Sequence, residues 1–227
     1  MIDFDALIFD FDGVLLESEF EANIQLAQIL TDLGHHHTPA EAIRNYTGLS
    51  GDDFIAAIER RIGSQLPAEF HDRIRKESIR ALRDGIEAVV GAVEFVRSLP
   101  PALPKAVASS SSTRWIRGHL DHLGIADVFG EQVYSGREHV ARGKPAPDIY
   151  LYAAKQLGAD IRRSVILEDS EVGATGAVAS GATVIGLAAG RHCFDGHADM
   201  LRGAGVDHIA SSFEEVSRLL RIDQTSR

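Results

Sequence analysis

Residues 6–14 read Ala6-Leu7-Ile8-Phe9-Asp10-Phe11-Asp12-Gly13-Val14: an apolar run, two carboxylates separated by one residue, and a glycine. The apolar run has the length and flanks of a buried parallel strand. A carboxylate at the end of such a strand sits in a crevice, where it must be paired, hydrogen-bonded or bound to a metal, because burial otherwise neutralises it. In extended backbone Asp10 and Asp12 share one side, and Gly13 lets the chain turn sharply. Taken alone, the stretch also fits two solvated turn aspartates, and the rest of the chain has to decide between the readings.

Outward from it, similar apolar runs recur at 105–109, 164–168, 182–187 and 206–210. Helical patterns at 89–98, 113–123, 147–157 and 213–220 separate them. Strand and helix in alternation predict an α/β fold, a doubly wound, Rossmann-like parallel sheet that binds ligands beyond the carboxyl ends of its strands. One region breaks the alternation. From Glu17 to about Asp84 only helical patterns occur, at 19–33, 39–46, 52–61 and 67–82, enough for a small bundle. The chain therefore divides into a core of residues 1–15 and 87–227 and an inserted all-helical cap of residues 16–86, with 223–227 as a loose tail.

Composition narrows the function classes. The 227 residues are 44% hydrophobic and 25% charged, as in an ordinary globular protein with a sizeable core. A net charge of −10 repels nucleic acid and acidic membrane, so neither is expected as a partner. Cys193, the single cysteine, can form no internal disulfide and fits a reducing, cytoplasmic setting. No basic segment precedes an apolar run at the N-terminus, so no secretory or transit signal is read there. The uncharged stretch 172–190 is broken by five glycines and reads as a small-residue helix, a stop near Gly181 and a strand, not as a membrane span. A monomer is the default expectation.

Three more strand ends carry chemistry. Ser109-Ser110-Ser111-Ser112-Thr113 runs from a strand into a helix, and its hydroxyls and free N–H groups can hold phosphate oxygens, although serine N-caps are common without a ligand. Lys144 precedes a proline that opens a helix; its ammonium could neutralise both a carboxylate and an incoming phosphoryl group. Glu168-Asp169 end a second apolar strand. Asp10, Asp12 and Asp169 together offer the hard oxygen ligands that Mg2+ takes.

In this order, the acid pair, serine-rich strand end, lysine and second acid pair resemble the haloacid dehalogenase superfamily of aspartate-nucleophile hydrolases. The likeness lies in the branch of β-phosphoglucomutase and small sugar-phosphate phosphatases, and it covers nearly the whole chain, cap included. The resemblance implies Asp10 as nucleophile, Asp12 as acid/base and donor of a backbone carbonyl to the metal, Ser109 as phosphate hydroxyl, Lys144 as charge clamp, and Asp169 with Glu168 as Mg2+ ligands. It also implies substrate contacts from Gly13, Ser110 and Ser111, and from Thr47 and Gly48 in the cap segment 46–51. Gly51 stands where the mutase has a phosphate-gripping arginine, for which Arg75 and Lys76 are the candidate substitutes. Ala22 stands where the mutase has a cap histidine. The expected function is therefore Mg2+-dependent hydrolysis of a small phosphorylated metabolite through an aspartyl-phosphate. A phosphomutase is the alternative, and a dehalogenase is disfavoured because Asp12 would have no leaving oxygen to protonate. A receiver-like binding module is too short and carries no cap. His35, His36 and His37 read as a solvated loop, and Trp115 and Cys193 as packing or surface residues.

Overall fold

The computed structural model describes residues 2–47, 49 and 51–222. Gly48 of the expected substrate loop and the 223–227 tail lie outside the described residues. In chain order, β1 (Ala6–Phe9) is followed by four helices, α1 (Ser18–Asp32), α2 (Pro39–Tyr46), α3 (Gly51–Ile62) and α4 (Ala68–Asp84). Then come α5 (Ala92–Ser98), β2 (Lys105–Ser109), α6 (Thr113–His122), α7 (Ala126–Phe129), β3 (Val133–Ser135) and α8 (Asp148–Gln156). The chain continues through β4 (Ser164–Glu168), α9 (Glu171–Ser180), β5 (Thr183–Leu187), α10 (His197–Gly203), β6 (His208–Ala210) and α11 (Phe213–Leu220).

The strands form one parallel sheet in the order β3-β2-β1-β4-β5-β6. The chain winds outward from β1 through β2 to β3, then crosses back to β4 on the other side of β1, so the direction of winding reverses at β1, where such sheets bind their ligands. Both faces are covered, which is why the strands read as continuous apolar runs. Leu7, Phe9, Val107, Leu167 and Ile185 pack on one face with Phe95 of α5, Ile116 of α6, Phe129 of α7 and Phe213 of α11. The intervening Ile8, Ala106, Ile166 and Val184 pack on the other with Ile149, Tyr150 and Ala153 of α8 and Ala177 of α9. β3, α7 and α10 were not read from the sequence. Each is short: three, four and seven residues give too little periodicity to stand out.

Helices α1–α4 bury a core of their own in which Leu26, Leu30, Ala42, Tyr46, Ile58 and Phe70 meet. Two chain segments join them to the sheet side by side, with Glu17 N donating to the Glu87 carbonyl at 3.0 Å and Val89 N to the Leu15 carbonyl at 3.1 Å. The histidine run is not uniformly solvated, contrary to expectation. His37 is buried, with its ring bonded to the His35 carbonyl and to the Tyr46 hydroxyl at 3.0 Å, so it packs the α1–α2 turn. Residues 172–190 resolve into α9, a left-handed Gly181 with φ 84° and β5. Among the described residues no helix is long and apolar enough to cross a membrane.

Leu30 is fully buried in the helical core. Leu30→Ala is expected to lower stability by about 2–5 kcal/mol in urea denaturation; a loss below about 1 kcal/mol would contradict a separately packed helical unit.

Candidate active site

Strand register decides what meets at the carboxyl edge of the sheet. Phe9 pairs with Val107 on one side and Leu167 on the other, so Asp10 emerges level with the ends of β2 and β4. Its N–H donates to the Leu167 carbonyl at 2.9 Å. Lys144, far along the chain, reaches the same point. Its Nζ donates to Asp10 Oδ1 at 2.5 Å and to Glu168 Oε1 at 2.6 Å, and all three side chains are almost wholly buried. Asp169 completes the group: carboxylate oxygens of Asp10, Glu168 and Asp169 lie within 4.8 Å of one another.

Three buried carboxylates share one ammonium here. Burial first, and then the charges of Glu168, Asp169 and Asp12, hold the Asp10 carboxyl well above the ordinary range, against the pull of Lys144. Burial and Glu168 do the same to Asp169. Lys144 stays protonated because Asp10 and Glu168 outweigh its own desolvation. The excess of negative charge suits a divalent cation, and Asp169 Oδ1 is buried with no hydrogen-bond partner. All-oxygen donors of this kind fit Mg2+.

Glu168, expected as a ligand, is near enough, but its oxygens are committed. Oε1 accepts from Lys144 and, at 2.5 Å, from the Tyr150 hydroxyl. Oε2 accepts from Asp169 N, Ser170 N and Ser170 Oγ, each at 3.1 Å. It is the anchor of Lys144. Gly173 makes room for it, because a Cβ there would overlap the Glu168 carboxylate. Gly13, expected to touch substrate, lies behind the site: with φ 81° it turns the chain, and a Cβ would overlap the Asp169 carboxylate.

Asp12 faces away from the carboxylate cluster. Its Oδ1 accepts from Ser18 Oγ at 2.7 Å and Trp115 Nε1 at 2.9 Å, and its Oδ2 from Ser111 Oγ at 2.6 Å and Ser109 Oγ at 3.3 Å. Ser109 also accepts from Ser111 N at 2.9 Å, so the serine loop is tied to Asp12. Trp115 is therefore not a mere packing residue. Ser112 caps α6 and accepts from Trp115 N, and the indole meets His119 edge-on at 4.3 Å. Burial lowers His119 to about 4, so that ring is neutral at pH 7. No sequence pattern pointed to Trp115 or Tyr150, whose partners are distant in the chain, or to Ser18, which meets Asp12 across the turn at Gly13.

A cavity of about 710 Å³ opens over these groups, lined by Asp10, Asp12, Ser109, Ser110, Ser111, Lys144 and Asp169 below and by Ala22, Thr47 and Leu49 above. Lys76, expected in it, is exposed on α4 and does not line the cavity. Arg75 pairs instead with Asp72 at 3.3 Å. Helix periodicity turns Ile74, Glu77, Ser78 and Ala81 of α4 toward the cavity, and Arg80 beside them also reaches its wall. The upper wall is acidic: Glu21, Glu77 and Glu87 line it with Arg80 and Arg191. Both guanidiniums are engaged, Arg80 with Glu77 at 2.7 Å and Arg191 with Glu87 at 3.1 Å.

The sequence profile of the haloacid dehalogenase-like hydrolases matches residues 4–181. The chain is 30% identical over 179 residues to the fructose-1-phosphate phosphatase of Escherichia coli (strain K12), covering 77% of this chain and 92% of that one. It is 29% identical over 213 residues to hexitol phosphatase A of the same organism, covering 92% of both. In structure it resembles a HAD family hydrolase from Deinococcus radiodurans R1, solved with bound phosphate and sodium, with TM-score 0.83, 31% identity and coverage of 99% and 98%.

Mg2+ is expected to raise the melting temperature of the protein, because a cation bound only by the folded chain stabilises it. The Asp169→Asn variant should melt at or above the metal-free protein and gain little from Mg2+. An equal Mg2+ shift in both, read by differential scanning calorimetry, would separate the cation from Asp169.

Proposed function

The chain belongs to the haloacid dehalogenase-like hydrolases, and we propose that within this family it is a Mg2+-dependent phosphatase of a small phosphorylated metabolite, working through an aspartyl-phosphate on Asp10. The observation that carries the reading is the placement of Lys144 Nζ, 2.5 Å from Asp10 and 2.6 Å from Glu168, at the floor of a cavity rimmed by Ser109–Ser111. Asp10 and Asp169, with the Asp12 carbonyl, would hold the ion. When bound, Mg2+ supplies positive charge that lets a phosphoryl group approach a carboxylate.

The protein's own groups supply the remaining steps. Lys144 offsets the charge of Asp10 and of the incoming phosphoryl oxygens. Ser109, Ser110 and the N–H groups of their loop orient those oxygens, and such positioning dominates phosphoryl transfer. Asp10 attacks phosphorus in line with the ester oxygen. Asp12 swings from its serine and indole donors to give that oxygen a proton, then takes one from the water that splits the aspartyl-phosphate. Helices α1–α4 act as a cap that closes over the substrate on the paired segments at Leu15–Glu17 and Glu87–Val89, excluding bulk water.

The phosphomutase reading is the less favoured one, because Ala22 lines the cavity and offers no titratable side chain from the cap. The cap wall bears on the leaving group. Arg80 of the cap is paired with Glu77 and Arg191 of the core with Glu87, Glu21 adds a further carboxylate, and Arg137 lines the cavity from the core, so a second phosphate or a carboxylate held against the cap meets negative charge. An uncharged polyhydroxylated leaving group fits this wall. It would work in a protein kept in solution, without membrane or nucleic acid.

A panel of phosphorylated metabolites assayed for inorganic phosphate tests the reading, with polyol monophosphates expected to exceed bisphosphates in kcat/KM by at least about tenfold, or ~1.4 kcal/mol. Isomer formation with negligible phosphate release would replace it with the mutase. Asp10→Asn is expected to abolish turnover of p-nitrophenyl phosphate without unfolding the chain. EDTA should silence the enzyme and added Mg2+ restore it. Trp115→Phe keeps the aromatic packing and removes one donor to Asp12, which should lower kcat by roughly tenfold and leave KM and melting temperature nearly unchanged; an unaltered kcat would release the indole from any role in holding Asp12.

A further inference from the structure

Beside Asp169, the turn between β5 and α10 and the first residue of α10 gather a second set of donors. One donor atom from each of His192, Cys193 and His197 lies within 4.8 Å of the other two. The Cys193 Sγ is 3.8 Å from His192 Nε2, so the thiol lies against the ring of its sequence neighbour. His192 is fully buried, His197 is 2% exposed and the free thiol is half-buried, which leaves a path for an ion.

Both imidazoles point one nitrogen at Asp169. His192 Nε2 lies 2.9 Å from its Oδ2 and His197 Nε2 2.7 Å from its carbonyl oxygen. Oxygen acceptors call for N–H at both Nε2 atoms, so Nδ1 carries the lone pair in each ring. Both Nδ1 atoms are buried without a hydrogen-bond partner. Buried polar atoms left so are rare and ask for an explanation. An imidazole that passes its other N–H to a carboxylate or carbonyl is held as metal-ligating histidines are held.

We propose that His192, Cys193 and His197 form a site for one thiophilic divalent cation, typified by Zn2+, distinct from the oxygen cluster and joined to it through Asp169. Two imidazoles and a thiolate select Zn2+ over Mg2+, and three protein ligands leave a fourth tetrahedral position for water. On binding, the S–H bond breaks, the proton leaves to solvent and the sulfur lone pair bonds the ion. That proton is otherwise firmly held, since burial pushes the thiol up to about 12.

The test is metal binding by the intact protein in excess Mg2+, which blocks the oxygen cluster. Equilibrium dialysis against Zn2+ followed by metal analysis should find one Zn2+ per chain. Titration with Co2+ should give a thiolate-to-cobalt charge-transfer band in the near ultraviolet, which reports Cys193 alone because the chain has one cysteine. Cys193→Ser should abolish the band and weaken Zn2+ retention by at least about tenfold, while leaving p-nitrophenyl phosphate turnover in Mg2+ unchanged. A wild-type Co2+ spectrum without that band, or Zn2+ retention equal in the two proteins, would overturn the site. The wild-type spectrum decides the matter even if the variant folds poorly.

Discussion

The ammonium of Lys144, held between the buried carboxylates of Asp10 and Glu168, is the contact on which the rest of the site depends. Removing either charge from such a pair leaves the other buried and uncompensated, a costly state. The fold is arranged to prevent it. β1 and β4 are neighbours with Phe9 opposite Leu167, so the two acids emerge together. Tyr150 reaches Glu168 from α8, Ser170 reaches it from the cap of α9, and Gly173 clears the space it fills. Ser170 and Gly173 line the cavity and Tyr150 does not, yet each fixes where the charge of Lys144 sits.

Two aspartates one residue apart have thereby acquired different surroundings. Asp10 is in a dry, carboxylate-rich corner beside an ammonium, while Asp12 accepts from three hydroxyls and an indole at the cavity rim. The proposed nucleophile and acid/base would need such a division: one to face the phosphoryl group, and the other free to move between donors and the leaving oxygen. Ser18, at the first turn of α1, ties Asp12 to the helical unit.

Much of the architecture was legible in the sequence because buried parallel strands leave an unmistakable apolar pattern. Four of the five strands read from it, at 105–109, 164–168, 182–187 and 6–10, agree with the observed elements to within a residue. β6 begins two residues later than 206, and β3 was missed because three residues carry no periodicity. Asp10 and Asp169 were legible for a different reason: each ends or follows an apolar run, where an unpaired charge would be expensive, whereas Lys144 was read from its place before a helix-opening proline. Lys76 was misplaced because charge alone does not say which side of a helix faces a cavity; the side of Ile74, Glu77, Ser78 and Ala81 lines it and Lys76 does not. His37 was misread because its partner Tyr46 is nine residues away across a turn.

By itself the sequence determined the alternation of strand and helix, the inserted helical stretch and the identity of the acids at the strand ends, since all follow from local burial and spacing. Tertiary structure alone decided that Glu168 anchors Lys144 with both oxygens taken, that Trp115 donates to Asp12, and that His192 and His197 close on Asp169. Those are contacts between segments tens of residues apart or around a turn. Their formation depends on sheet register and on the space left by Gly13 and Gly173, which no residue pattern along the chain encodes.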